Sequence, residues 1–296
     1  MKLFDLHCDT AYRMFRENIH IDSPKLHINL NTLSCFHHVT QTFAFWSNNR
    51  DSNAEAWEHF LASYKQFMTV KWPENVSVML SIEDLRLIDG KIERLALLEQ
   101  MGIRFVGLFW GGDNIFGTSH NSTADTGLSM FGKETLKECF RLGLIPDVSH
   151  ASHRSTEQIL DLATAQSKPV IASHSNFYEC FPHSRNLLTA HAIQIQKLGG
   201  LVGLSFVPEH LGGNAIECFA NHYVFGYDLG LSDILCIGSD FDGTDNLIFG
   251  ISCQSDIGKI AQFLLDQGFS HPAIQHLFYQ NGEAFLRNIR HHFVSE

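Results

Sequence analysis

Arg141-Leu142-Gly143-Leu144-Ile145-Pro146-Asp147-Val148-Ser149-His150 holds the pattern from which the architecture follows. Phe131–Leu142 reads as a helix, and Gly143 stands where a C-cap belongs, because glycine takes a left-handed backbone without a Cβ clash. Leu144–Val148 follows at once as a short apolar strand. The same order recurs: Lys91–Met101 ends at Gly102 and Thr189–Leu198 at Gly199-Gly200, each directly before another apolar run.

Strand candidates are Leu3–His7, Thr42–Trp46, Val76–Ser81, Phe105–Phe109, Leu144–Val148, Val170–Ala172, Leu201–Ser205 and Ile234–Gly238. Their brevity and their β-branched and aromatic content suit strands buried on both faces. Ala54–Val70 carries Trp57, Leu61, Tyr64 and Met68 at helical spacing. Ser155-Thr156-Glu157-Gln158 has the spacing of a capping box and is expected to open another helix. Asp256–Gln267 and Pro272–Arg290 read as the last helices. Strand–helix alternation repeated about eight times implies an α/β protein with a parallel sheet closed into a (β/α)8 TIM barrel. An open doubly wound sheet is the alternative. No linker or low-complexity segment divides the chain, so residues 1–296 are expected to form one barrel domain. Gly111–Ser129 is expected to be a long loop over one barrel end, and Asn18–Thr40 an irregular stretch whose His20, His27, His37 and His38 lie in loops or on the surface.

Of the 296 residues 44% are hydrophobic and 18% charged, ample for a large core. The formal net charge of −11 argues against nucleic acid or an anionic membrane surface as partner. The N-terminus turns acidic at Asp5 without an apolar h-region, no run reaches the length of a membrane span, and His291–Glu296 lacks the apolar tail of a lipid-anchor signal. The seven cysteines are scattered and never form a C-x-x-C pair, as expected of reduced thiols in a cytoplasm.

In a barrel of this kind reactive groups collect at the C-terminal strand ends. The first strand ends in His7-Cys8-Asp9, the third runs into Ser81-Ile82-Glu83, and the fifth ends Asp147-Val148-Ser149-His150. The sixth ends Ala172-Ser173-His174-Ser175, and the eighth Ser239-Asp240-Phe241-Asp242. Taken singly, each has a structural explanation: Glu83 as a helix cap, His150 and His174 as hydrogen-bonded core residues, Asp240 or Asp242 in an Asx turn. Five coincidences at one barrel end favour function. His7, Asp9, Glu83, His150 and His174 are therefore expected to hold two divalent metals, zinc by the imidazole–carboxylate donor set, with manganese, cobalt or iron as alternatives. Three imidazoles and two carboxylates are too few for two separate closed sites, so a shared ligand is needed, and Glu83 has two oxygens to share. Two ions roughly 3.5–4 Å apart would clamp a water and bring its pKa from about 15.7 toward 7. Asp240 is left to carry that water's proton. Arg185, in Ser184-Arg185-Asn186, is placed to grip a substrate carboxylate in a two-pronged fashion, or else to pair with a surface acid. His183 is expected to be a loop residue.

These segments, together with Gly102-Ile103-Arg104-Phe105, Pro169-Val170-Ile171-Ala172 and Ile237-Gly238-Ser239-Asp240-Phe241-Asp242-Gly243, resemble the membrane (renal) dipeptidase family of two-zinc metallopeptidases along essentially the whole chain. The resemblance implies a metallo-dependent hydrolase barrel, one metal on His7, Asp9 and Glu83, and the other on Glu83, His150 and His174. It implies proton transfer by Asp240, carboxylate binding by Arg185, dipeptide substrates that include D-residues at the C-terminus, and a homodimer. Two departures stand out. Where the secreted animal enzymes carry a histidine that polarises the scissile carbonyl, this chain has Trp110, as in a microbial branch, and Asn114 is a candidate for the missing polar contact. Secretion and anchor signals are also missing. The alternatives are a hydrolase acting on a cyclic amide, lactone or N-acyl amino acid, and a non-enzymatic metal-storage scaffold, for which Asp240 would have no use.

Overall fold

Seven short strands pair in parallel: β1 (Lys2–Cys8), β2 (His38–Trp46), β3 (Val76–Glu83), β4 (Ile103–Gly107), β5 (Ile145–Asp147), β6 (Val202–Leu204) and β7 (Leu235–Ile237). The computed structural model describes residues 1–294, with side chains through residue 289; Ser295 and Glu296, part of the terminal stretch read above, lie outside the described residues. The strand order is β5-β4-β3-β2-β1-β7-β6, which leaves the edges of β5 and β6 to be joined. Residues 170–172 join them, not as a ladder but through single parallel bridges, Asp147 with Ile171 and Ala172 with Val202. Ile171 N donates to Pro146 O at 3.0 Å and Gly203 N to Ala172 O at 2.8 Å. The sixth strand candidate is thus a two-sided bridge, and the open-sheet alternative falls with it.

The bridge is narrow because its neighbours are glycines. A methyl at Gly203 or Gly238 would collide with Ser173 O, so both positions let the bridging backbone come closer than any side chain allows. Inside the barrel, Phe4, Leu6, Phe105, Ile145, Ile171, Leu201 and Cys236 form a core closed from below by Phe285, Leu286 and Ile289 of the last helix, Asn281–Val294. A larger cluster, with Leu3, Cys8, Phe43 and Phe45, fills the space between sheet and helices. Strict alternation would keep Leu6 and Cys8 on one face. The β1–β2 pairing is irregular between Asp5 and Cys8, and the two residues part company there.

Helices follow most strands, with shifted ends. The segment expected at 54–70 is Asn53–Phe67, capped by Ser52 and Glu55 in a capping box. The expected start at Ser155 is corrected: the helix is His153–Gln166, its cap is Ser152, and the Ser155 hydroxyl donates to Thr118 O inside the structure. The glycine stop holds at Met130–Leu142, where Gly143 has φ 75°. The stretch 18–40 is less irregular than expected, for it contains the short helix Leu30–Ser34 and the start of β2 at His38. His27 there is held in place, its Nδ1 accepting from Asp242 N at 2.9 Å. Among the described residues no helix is long and apolar enough to cross a membrane.

If the Gly238 contact closes the barrel, Gly238→Ala should lower the unfolding free energy by about 3 kcal/mol. Denaturant unfolding followed by circular dichroism checks this, and an unchanged midpoint would contradict it.

Candidate metal centre

The reactive strand ends meet because β1 and β7 are tied together beneath them. The buried Asp5 carboxylate accepts from Ser239 N at 2.9 Å, Ser239 Oγ at 2.6 Å and His7 N at 3.3 Å, so the ends carrying His7 and Asp240 stay in register. Asp9 N adds a bond to Phe241 O at 2.8 Å. Asp240 and His150 are both held at positive φ, 62° and 67°. Non-glycine residues rarely take that conformation, and such backbone clusters at functional sites.

His7, Asp9, Glu83, His150, His174 and Asp240 converge in the barrel mouth. His7 Nε2 lies 3.3 Å from Asp9 Oδ2, 3.8 Å from Glu83 Oε2 and 3.9 Å from Asp240 Oδ1. Glu83 Oε1 faces the other way, 2.8 Å from His150 Nε2 and 3.4 Å from His174 Nε2, which are themselves 3.0 Å apart. One carboxylate therefore gives one oxygen to each of two donor sets.

The set fits divalent cations on three grounds. Its donors are imidazole nitrogens and carboxylate oxygens, the chemistry that holds zinc and its neighbours. Asp9 Oδ1 is buried with no hydrogen-bond partner. Gly243 lies so close that a methyl there would strike Asp9 Oδ2 and Asp240 Oδ1. Asp147 also stands near His7 and His174, but its oxygens are engaged: Oδ1 accepts from Ser149 N and Ser173 N, and Oδ2 from Ser173 Oγ. It acts behind the donors. Ser173 Oγ, bound to Asp147, lies 2.8 Å from His174 Nδ1 and 3.4 Å from His7 Nδ1. A hydroxyl that donates to the carboxylate accepts from Nδ1–H, which leaves Nε2 as the nitrogen each ring turns toward the centre.

The charges show what the cluster lacks. Burial alone would lower His7, yet Glu83, Asp9 and Asp240 around it hold it at about 10. Burial, with Asp9 beside it, raises Glu83 well above the usual carboxylate range, and burial brings Asp240 to about 6. Burial and the Arg185 charge keep His150 and His174 well below the ordinary histidine value, hence neutral.

A cavity of about 470 Å³ stands over this centre. Arg185 is buried in its wall, with one side-chain hydrogen bond among the described residues, to His174 O at 3.3 Å. Trp110 also lines it, 4.8 Å ring to ring from Trp46. His183 is more than a loop residue: it lines the cavity and its Nδ1 accepts from Arg185 N at 3.2 Å. Asn114, expected as a substrate contact, stands outside that lining, and its amide donates to Leu108 O at 2.8 Å and Asp84 Oδ1 at 3.3 Å. Asp242 has its oxygens bound to Thr10 Oγ1 and to the backbone of His27. Tyr12, Trp46, His120 and His210 line the cavity without having been singled out in the sequence. Trp46 was within reach of the strand-end rule, since it is the last residue of β2.

The profile of the family described as membrane dipeptidase (peptidase family M19) matches residues 1–291. The dipeptidase tcpJ of Claviceps purpurea (strain 20.1) is 28% identical over 218 residues, 71% of this chain and 50% of that protein. The chain spans about half the length of the curated relatives it matches. A metallo peptidase from Rhodobacter sphaeroides, solved with a phosphinate mimic of L-Ala-D-Ala, superposes with a TM-score of 0.86 at 20% identity, covering 97% of this chain and 99% of that one. The probable dipeptidase PvdM from Pseudomonas aeruginosa gives 0.87 at 16% identity, over 98% and 96%. Likeness at these identities shows a shared barrel fold.

Two outcomes test the centre. A cation must displace the His7 proton, so zinc binding at pH 8 should release at least one proton and the apparent affinity should rise with pH. Calorimetry in buffers of different ionisation enthalpy measures this, and zero release would count against the centre. Ser173→Ala should weaken zinc binding about 10- to 100-fold in competition with a chromophoric chelator.

Proposed function

The chain belongs to the membrane dipeptidase family, peptidase family M19, and from that membership we propose that it hydrolyses dipeptides with a free C-terminal carboxylate. The observation that carries the reading is Glu83, one oxygen on the His7 side and the other between His150 and His174. The phosphinate mimic of L-Ala-D-Ala held by the Rhodobacter sphaeroides neighbour supports a small peptide substrate with a D-residue allowed at its C-terminus.

His7, Asp9 and Glu83 would hold one cation, and Glu83, His150 and His174 the other, with zinc favoured by the donor set. Bound there, the cations supply Lewis acidity and a water acidified toward neutral pH. The protein's own residues do the rest. Arg185 receives the terminal carboxylate in a buried wall, where a guanidinium–carboxylate pair is strong and directional. The Asp240 carboxylate, beside His7 and lining the cavity, takes a proton from the attacking water and returns it to the amide nitrogen as the peptide bond breaks. Trp110 lines the cavity, at the position where the resemblance leads one to expect the carbonyl-polarising histidine. All seven cysteines are unpaired, which supports a reducing compartment, the cytoplasm.

The test is a panel of L-L and L-D dipeptides offered to protein carrying two zinc ions per chain. Hydrolysis is expected, and Arg185→Ala should lower kcat/KM on dipeptides about 10- to 100-fold while sparing the matching C-terminal amides. Turnover of none of them would overturn the reading.

A further inference from the structure

The cavity has two unlike walls. On one side Tyr12, Trp46 and Trp110 stand in a row. Tyr12 meets Trp46 edge-on at 4.6 Å between ring centroids, and Trp46 meets Trp110 edge-on at 4.8 Å. All three line the cavity and are only partly buried. Edge-to-face contacts of this kind hold each ring against its neighbour. On the other side stand Arg185, His183 and His210, with His183 and His210 rings 4.9 Å apart. Burial and the Arg185 charge hold His210 at about 2, so that wall's positive charge is carried by Arg185.

The chain's path around the barrel keeps the walls apart. Tyr12 follows β1, Trp46 ends β2 and Trp110 follows β4, whereas Arg185 follows the bridge at 170–172 and His210 follows β6. Glu83, His150 and Asp240 lie on the floor between. Resting on the dipeptidase reading, this geometry has a consequence for orientation. A dipeptide whose carboxylate is held by Arg185 and whose amide lies over the floor extends its N-terminal residue toward the rings.

We propose that Tyr12, Trp46 and Trp110 form a subsite for the side chain of the substrate's N-terminal residue and select large apolar, above all aromatic, side chains there. Tyr12, Trp46 and Trp110 present aromatic surface to the cavity and carry no carboxylate for a cationic side chain. Arg16, at the rim with its guanidinium 5.7 Å from the Tyr12 ring centroid, repels one. A smaller side chain leaves the ring faces in water, and apolar area left exposed is binding lost. The preference belongs to the N-terminal position alone, because the C-terminal residue sits on the side of Arg185 and the histidines.

Zinc-loaded protein is assayed on Phe-Gly, Leu-Gly, Ala-Gly and Gly-Gly, and on Gly-Phe and Gly-Leu. Phe-Gly should exceed Gly-Gly in kcat/KM by about 10- to 100-fold, with Gly-Phe close to Gly-Gly. Trp46→Ala should lower the Phe-Gly to Gly-Gly ratio about tenfold, and Trp46→Phe should keep most of it. Tyr12→Ala serves as a second probe should Trp46→Ala melt early. A binding readout runs alongside, with phosphinate dipeptide analogues carrying Phe or Gly at the N-terminal position titrated by tryptophan fluorescence, the Phe analogue expected to bind at least tenfold tighter. Equal rates and equal binding for Phe and Gly, or a Trp46→Ala variant with the ratio unchanged, would overturn the subsite. Failure of every dipeptide, with the Phe analogue still preferred in binding, would overturn the dipeptidase reading and leave the subsite standing.

Discussion

Everything at the barrel mouth depends on how Glu83 is held. Its carboxylate is buried, and its two oxygens face opposite donor sets, His7 on one side and His150 with His174 on the other. Asp9 and Asp240 add two further carboxylates within 4 Å of the same imidazole. Such a concentration of negative groups away from water is costly unless positive charge answers it. His7 answers part of it by holding a proton up to about 10, and Arg185 adds a charge from the wall. The remainder is the electrostatic signature of a site built for cations.

The framework beneath is arranged to keep that cluster rigid. Asp5 and Ser239 lock β1 to β7, while Asp147 and Ser173 lock β5 to the bridge at 170–172. Each pair is a buried carboxylate with its hydrogen-bonding capacity taken up by neighbouring backbone and hydroxyl groups, so neither competes as a metal ligand. Both pairs lie one step behind the imidazoles. The geometry of the centre is set by polar contacts inside the barrel, with apolar packing confined to the layer below them and to the shell of helices.

Above the centre the cavity is lined by the rings of Tyr12, Trp46 and Trp110 on one side and by Arg185, His183 and His210 on the other. A cavity whose opposite walls differ in this way distinguishes the two ends of an occupant as well as its size. Trp110 belongs to the aromatic face, and the neighbouring Trp46 and Tyr12 give that ring a packed context instead of leaving it as an isolated bulky substitution.

The strand–helix alternation, the glycine stops and the ligand types were legible in the sequence, because they arise from local backbone sterics and from the chemistry of single side chains. Gly143 ends its helix wherever that helix lies, and His7 offers an imidazole in any fold. The sequence could not say that residues 170–172 close the barrel by single bridges, that the β1 irregularity turns Cys8 away from Leu6, or that Asn114 spends its amide on Asp84 and Leu108. Nor could it divide the cavity between Tyr12 and Trp46 on one side and His210 on the other. Those facts depend on angular position around a closed barrel, and closure couples residues far apart in the chain. Residue type and local period alone settled what each segment is; only the tertiary structure decided which oxygen of Glu83 faces which imidazole, since that follows from the order in which the strands return to one another.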